Sequence, residues 1–118
     1  MEKLKFNQKI IAGTAQFNPG YGILGAKKGN HAEMVRNLLN ECFKNGIKTL
    51  DTAPVYGDAE KLIGMYSKGR FEIITKLPSK PPKNISTTDW VRKEITSSEK
   101  RTKKKFLQFC YIIRSIIK

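Results

Sequence analysis

Three short apolar runs, each followed by a stretch of helical periodicity, constrain this chain more than any other feature. Ile10 to Ala15 is closed by a Gly/Asn/Pro-rich stretch from Phe17 to Gly29, which reads as a buried strand followed by a long loop. Asn30 and Glu33 have capping-box spacing, with Asn in place of the usual Ser or Thr. Met34, Val35, Leu38, Leu39, Cys42 and Phe43 then recur on one helical face, and Gly46 stops the helix. Lys48 to Ala53 is the second run. Asp58 stands as a cap for a helix carrying Ala59, Leu62, Ile63 and Tyr66 on one face, and Gly69 ends it. Phe71 to Leu77, rich in β-branched and aromatic residues, is the third run. Pro78, Pro81 and Pro82 break the chain before Ser86, Thr87 and Asp89 open a helix holding Trp90, Val91 and Ile95. Strands and helices alternating at this spacing predict a parallel α/β sheet. Periodicity alone leaves a barrel and an open doubly wound sheet as alternatives.

With 118 residues the chain has room for one small domain and a modest core. Its hydrophobic share, 39%, is ordinary for a folded protein, but its formal net charge of +13 is not. Residues 79–118 hold 11 Lys/Arg against 3 Asp/Glu, so eight of the thirteen net charges lie in the last third. A charge of this size suggests attraction to nucleic acid, anionic lipid or phosphorylated ligands. Cys42 and Cys110 fit neither a metal spacing nor a disulfide framework, and Cys42 reads as a reduced, buried thiol. The opening MEKLKFNQ has no apolar core of a secretory signal, and no apolar run reaches the length of about 18 residues that marks a membrane span. A cytoplasmic location is the expectation.

Asp51 closes the second run, Tyr56 follows it, and Lys76 lies at the end of the third. In a parallel α/β sheet the C-terminal ends of the strands form the face where sites are built. A phenol is a poor proton donor at neutral pH unless a neighbouring cation favours its ionised form. Lys76 offers that cation, and the Asp51 carboxylate would hold it charged and oriented. Together they make a general acid suited to protonating a carbonyl oxygen as hydride reaches the carbon.

The stretch DTAPVYGDAE, from Asp51 to Glu60, resembles the D-T-A-x-x-Y-G-x-[AS]-E signature of the aldo-keto reductases. Gly13 to Phe17 (GTAQF) is similar to the end of their first strand, and Ile74 to Lys76 (ITK) to the end of their third. The run GTAQF…YGI…G, with the closing TKLP, resembles most the bacterial branch associated with sugar and surface-polysaccharide modification. The resemblance covers roughly residues 8–94. It implies a (β/α)8 TIM barrel that reduces aldehydes or ketones with NADPH, present here as an incomplete barrel of three to four N-terminal β/α units with parallel strands. Tyr56 would be the general acid, Lys76 its activating cation and Asp51 the support for Lys76. Thr14 and Asp51 would bind the cofactor near the nicotinamide ribose. Phe17, Tyr21 and Tyr56 would line the substrate mouth. The partners implied are a small carbonyl substrate, no metal and no specific nucleic acid. Glu60, in a helix's first turn, reads as a carboxylate compensating the helix dipole.

The resemblance also implies a His at the end of the fourth strand. The chain's one histidine is His31, which reads as an exposed side chain at a helix terminus. If Phe106 to Ile113 is the fourth strand, Arg114 takes the His position and brings a permanent charge. The loops that hold the NADP 2′-phosphate and adenine in this family would lie beyond Lys118. Residues 1–95 thus read as the N-terminal portion of a reductase domain and 96–118 as a basic, divergent tail. Three readings of that tail stand: a frameshift or premature stop, an in-frame fourth strand, or a basic segment attaching to an anionic membrane or nucleic acid through residues 100–118. The chain by itself is expected to be inactive, with open barrel edges prone to self-association.

Overall fold

The computed structural model of the protein describes residues 10–18, 31–78 and 80–105. Within them lie three β/α units: β1 (Ile11–Gly13), α1 (His31–Lys44), β2 (Thr49–Asp51), α2 (Ala59–Tyr66), β3 (Glu72–Ile74) and α3 (Thr87–Thr102). A single 3-10 turn, Ala15–Phe17, follows β1. The strands pair in the order β1-β2-β3, all parallel. A doubly wound sheet reverses its strand order part-way across, whereas a barrel runs through its strands in sequence. The sequential order here fits an arc of a barrel, as it also fits one half of a doubly wound sheet. The expectations for Tyr21, Asn30, Phe106, Cys110 and Arg114 fall outside the described residues.

The register fixes which side chains share a face. Ala12, Leu50 and Ile73 are level, as are Gly13, Asp51 and Ile74. Side chains alternate across a strand, so Leu50 and Ile73 turn toward the helices while Asp51 points to the opposite face. On the helical side Leu50, Ile73 and Phe71 join Val35 and Leu39 of α1 and Ala59, Leu62 and Ile63 of α2 in one buried cluster.

The helix ends show where local chemistry decides. After α1, Gly46 N–H donates to the Phe43 carbonyl at 3.0 Å and Ile47 N–H to the Cys42 carbonyl at 2.9 Å, the paired bonds of a Schellman stop. At α3, Ser86 Oγ accepts from the Asp89 N–H at 3.2 Å and donates to Asp89 Oδ2 at 2.8 Å, a reciprocal cap. Asp58 departs from expectation. Its side chain makes no capping bond to α2; its carbonyl, accepting from the Leu62 N–H at 2.9 Å, begins the helix instead.

Two further expectations are corrected. The six-residue stripe of α1 is only half covered: Val35 and Leu39 are buried, whereas Met34, Leu38 and Phe43 are exposed. Among the described residues α1 packs against α2, and its Val35 and Leu39 join the core cluster that holds Leu50 and Ile73 of the strands. His31 is half-buried rather than exposed. Its ring Nε2 bonds the Phe17 carbonyl, so the start of α1 is tied to the turn after β1.

Candidate active site

The level row Gly13, Asp51 and Ile74 ends the three strands, and the side chains expected to carry chemistry cluster just beyond it. Thr14 sits beneath Asp51. Its backbone N–H and its Oγ1 both donate to the Asp51 carbonyl, each at 3.0 Å, and the residue is fully buried. Thr14 therefore locks the backbone from which the Asp51 side chain departs.

Lys76 lies two residues past Ile74, on the same side of the extended chain as Asp51. Its Nζ donates to Asp51 Oδ1 and Oδ2, both at 2.8 Å, and to the Thr52 carbonyl at 3.1 Å. An ammonium has three N–H groups, and these three acceptors match them. The Asp51 and Lys76 side chains are 33% and 24% exposed, so the pair is reachable from solvent without being freely hydrated.

Tyr56 arrives from the turn between β2 and α2. Its N–H donates to the Ala53 carbonyl at 3.0 Å, and its carbonyl accepts from the Ala59 N–H at 3.1 Å. The Lys76 Nζ stands 5.4 Å from the centre of the Tyr56 ring. With its donors committed to Asp51 and Thr52, Lys76 lies beside the Tyr56 ring as a cation facing an aromatic side chain. Gly57 makes the turn possible. Its φ is +58°, and a Cβ there would lie 2.6 Å from Asn18 Oδ1, so the Tyr56 turn passes close to the segment after β1.

Asp51, Tyr56 and Lys76 are thus brought together at the strand ends. Phe17, the last residue of the 3-10 turn, is buried in the core cluster, 7% exposed. Cys42 is a free, half-buried thiol whose pKa burial pushes above its ordinary value. Among the described residues no group of three His, Cys, Asp or Glu side chains could hold a metal ion. None of the described helices is long and apolar enough to cross a membrane.

Glu60, in the first turn of α2 as expected, is 1% exposed. Its Oε1 accepts from Thr75 Oγ1 at 2.6 Å, and its Oε2 from Arg101 Nε at 2.6 Å. Arg101 sits in the basic stretch read as a divergent tail, and nothing in the local pattern marks it as a partner for Glu60. Lys104 of the same stretch donates to the Gly69 carbonyl at 3.3 Å.

The sequence model of the aldo/keto reductase family matches residues 9–114. The chain belongs to the aldo-keto reductase family. That match runs beyond residue 94, where the resemblance had been expected to end, through all of α3 and into the stretch that follows. Two solved structures from Pseudomonas aeruginosa, each named as an aldo-keto reductase, align with 86% of the chain at TM-scores of 0.67 and 0.65. Sequence identity to them is 22% and 21%, so the likeness speaks for the fold. The chain covers 41% and 39% of their lengths. No curated protein matches it.

Proposed function

We propose that these residues carry the proton-donating part of an NADPH-dependent carbonyl reductase. The observation that supports this most is the two-pronged Asp51–Lys76 pair with the Tyr56 ring beside it, at the C-terminal ends of parallel strands. In this reading Tyr56 gives its phenolic proton to the carbonyl oxygen as that oxygen becomes an alkoxide. The Lys76 charge favours the phenolate left behind, and Asp51 fixes Lys76 in place. The residues fit the cofactor in one respect: Asp51, a third exposed, presents carboxylate oxygens able to accept from a ribose hydroxyl. NADPH, when bound, supplies the hydride. Thr14 contributes from below by holding the Asp51 backbone. The substrate is an aldehyde or ketone, and the GTAQF and TKLP motifs favour one linked to sugar or surface-polysaccharide chemistry.

The family match through residue 114 favours the in-frame reading of residues 96–114, with Arg114 in the position of the fourth-strand His. It also weighs against a separate binding module, because Arg101 and Lys104 are engaged with Glu60 and Gly69 within the fold. The reaction is read as cytoplasmic.

The 118-residue polypeptide by itself is expected not to turn over. Proximity to a bound hydride donor is the main source of rate in such a site, and three to four β/α units provide few of the contacts that hold a dinucleotide. Titration of NADPH fluorescence, with aldehyde-dependent NADPH oxidation, tests this. Neither saturable binding nor turnover is expected. A dissociation constant at or below about 10 μM, within the ordinary range for enzyme substrates, with turnover abolished by Tyr56→Phe, would show that these 118 residues suffice.

A further inference from the structure

The chain that leaves β3 is anchored on both sides. Consecutive residues of an extended strand point to opposite faces, so Thr75 and Lys76 diverge. Lys76 reaches Asp51 on one face, and Thr75 reaches the buried Glu60 on the other. Glu60 lies in the first turn of α2, one turn after Tyr56. One carboxylate therefore connects the segment that carries Tyr56 to the segment that carries Lys76.

A carboxylate this deeply buried is costly unless its charge and lone pairs are met. Arg101 meets the charge through Nε at 2.6 Å, and its own terminal nitrogen is steadied by Ser98 Oγ at 3.2 Å. Thr75 meets the other oxygen. The arrangement leaves Glu60 little freedom, and whatever it holds is held firmly.

We propose that Glu60 is a positioning residue for the site. Through the Thr75 hydroxyl it sets the path of the chain after β3, which aims Lys76 between Asp51 and the Tyr56 ring, while Arg101 of α3 holds Glu60 in place. The consequence for proton transfer rests on the carbonyl-reductase reading, but the positioning itself does not.

Thr75→Val removes one hydroxyl at nearly constant shape and leaves the Glu60–Arg101 pair and the α2/α3 contact intact. The readout is the rate at which Lys76 of the 118-residue polypeptide is acylated by an amine-directed acetyl ester, mapped by mass spectrometry, with the exposed Lys48 and Lys61 as controls. Thr75→Val should speed acylation of Lys76 roughly fivefold, the change one hydrogen bond is worth, and leave Lys48 and Lys61 unchanged. Thr75→Ser keeps the hydroxyl and should stay within twofold of the parent. Glu60→Ala should act on Lys76 at least as strongly if it folds; if it does not, the Thr75 pair decides. Equal acceleration of all three lysines by Thr75→Val, or no acceleration at Lys76, would overturn the proposal. The measurement uses neither cofactor nor turnover. Failure to reduce carbonyls therefore leaves it readable, and a negative labelling result leaves the function proposal standing.

Discussion

A half-exposed ammonium with three acceptors and a buried carboxylate with two donors lie on adjacent parts of this small fold, and their surroundings account for both. Lys76 sits at the strand ends, where Asp51, Thr52 and Tyr56 converge. Glu60 sits between α2, the end of β3 and α3. Cys42 shows the same rule for a neutral group. Burial disfavours its thiolate, so its pKa is raised in the folded chain. Below the pKa of an unfolded thiol, about 8.5, both states hold the proton. As pH rises past it the unfolded state gives up its proton first, so stability present at lower pH is lost through this group. Alkylation of Cys42 by iodoacetamide, mapped by mass spectrometry from pH 7 to 10, should rise at higher pH in the folded chain than after unfolding in urea. Coincident profiles would show that burial does not govern this thiol. Asp51, Tyr56 and Lys76 were legible in sequence because each stands at a strand end or in the turn just beyond it. The first-turn position of Glu60 pointed to a helix-dipole role but not to its bond with Arg101, which is 41 residues away.

At the scale of elements, short apolar runs bounded by turn residues marked the three strands, and a period of 3.6 marked the three helices, since burial on one helical face leaves that imprint. What they missed depends on neighbours. Met34, Leu38 and Phe43 match the helical period yet stay exposed, because among the described residues the cover of α1 falls on the side of Val35 and Leu39. α3 runs to Thr102, so the expected domain boundary at 95/96 falls inside it. Its latter half carries few apolar residues. It packs through Ser98, Thr102 and the Arg101 backbone, a polar contact that a hydrophobic pattern does not reveal. Gly64 of α2 allows this approach: a Cβ there would come within 2.1 Å of the Arg101 carbonyl oxygen. Gly64→Ala would force the two backbones apart, at a cost of about 1–3 kcal/mol, as for overpacking elsewhere. Urea denaturation followed by circular dichroism should show a lower midpoint. An unchanged or higher midpoint would mean that α3 does not bear on α2 as described.

At the scale of the molecule, the described arc pairs β2 on both sides and leaves β1 and β3 each with one strand neighbour. Ile10 and Ile11 at one edge and the outer flank of α1 remain exposed. Open edges and uncovered apolar side chains favour association. The 118-residue polypeptide should therefore show a concentration-dependent rise in mass by light scattering, more marked at high salt, which screens its net charge of +13. A constant monomer mass across concentration and salt would contradict this. The central claim is that three successive β/α units bring Asp51, Tyr56 and Lys76 to one place. Nuclear Overhauser contacts between the Tyr56 ring and the Lys76 side chain, in a sample with only tyrosine and lysine labelled, test it most directly. With Lys76 Nζ 5.4 Å from the ring centre, cross-peaks between the Tyr56 ring protons and the Lys76 δ- and ε-methylenes are predicted, and Tyr56→Phe, whose ring is unlabelled in such a sample, should remove them. Their absence in the folded chain, with Lys76 resonances as narrow as those of the exposed lysines, would contradict the shared site.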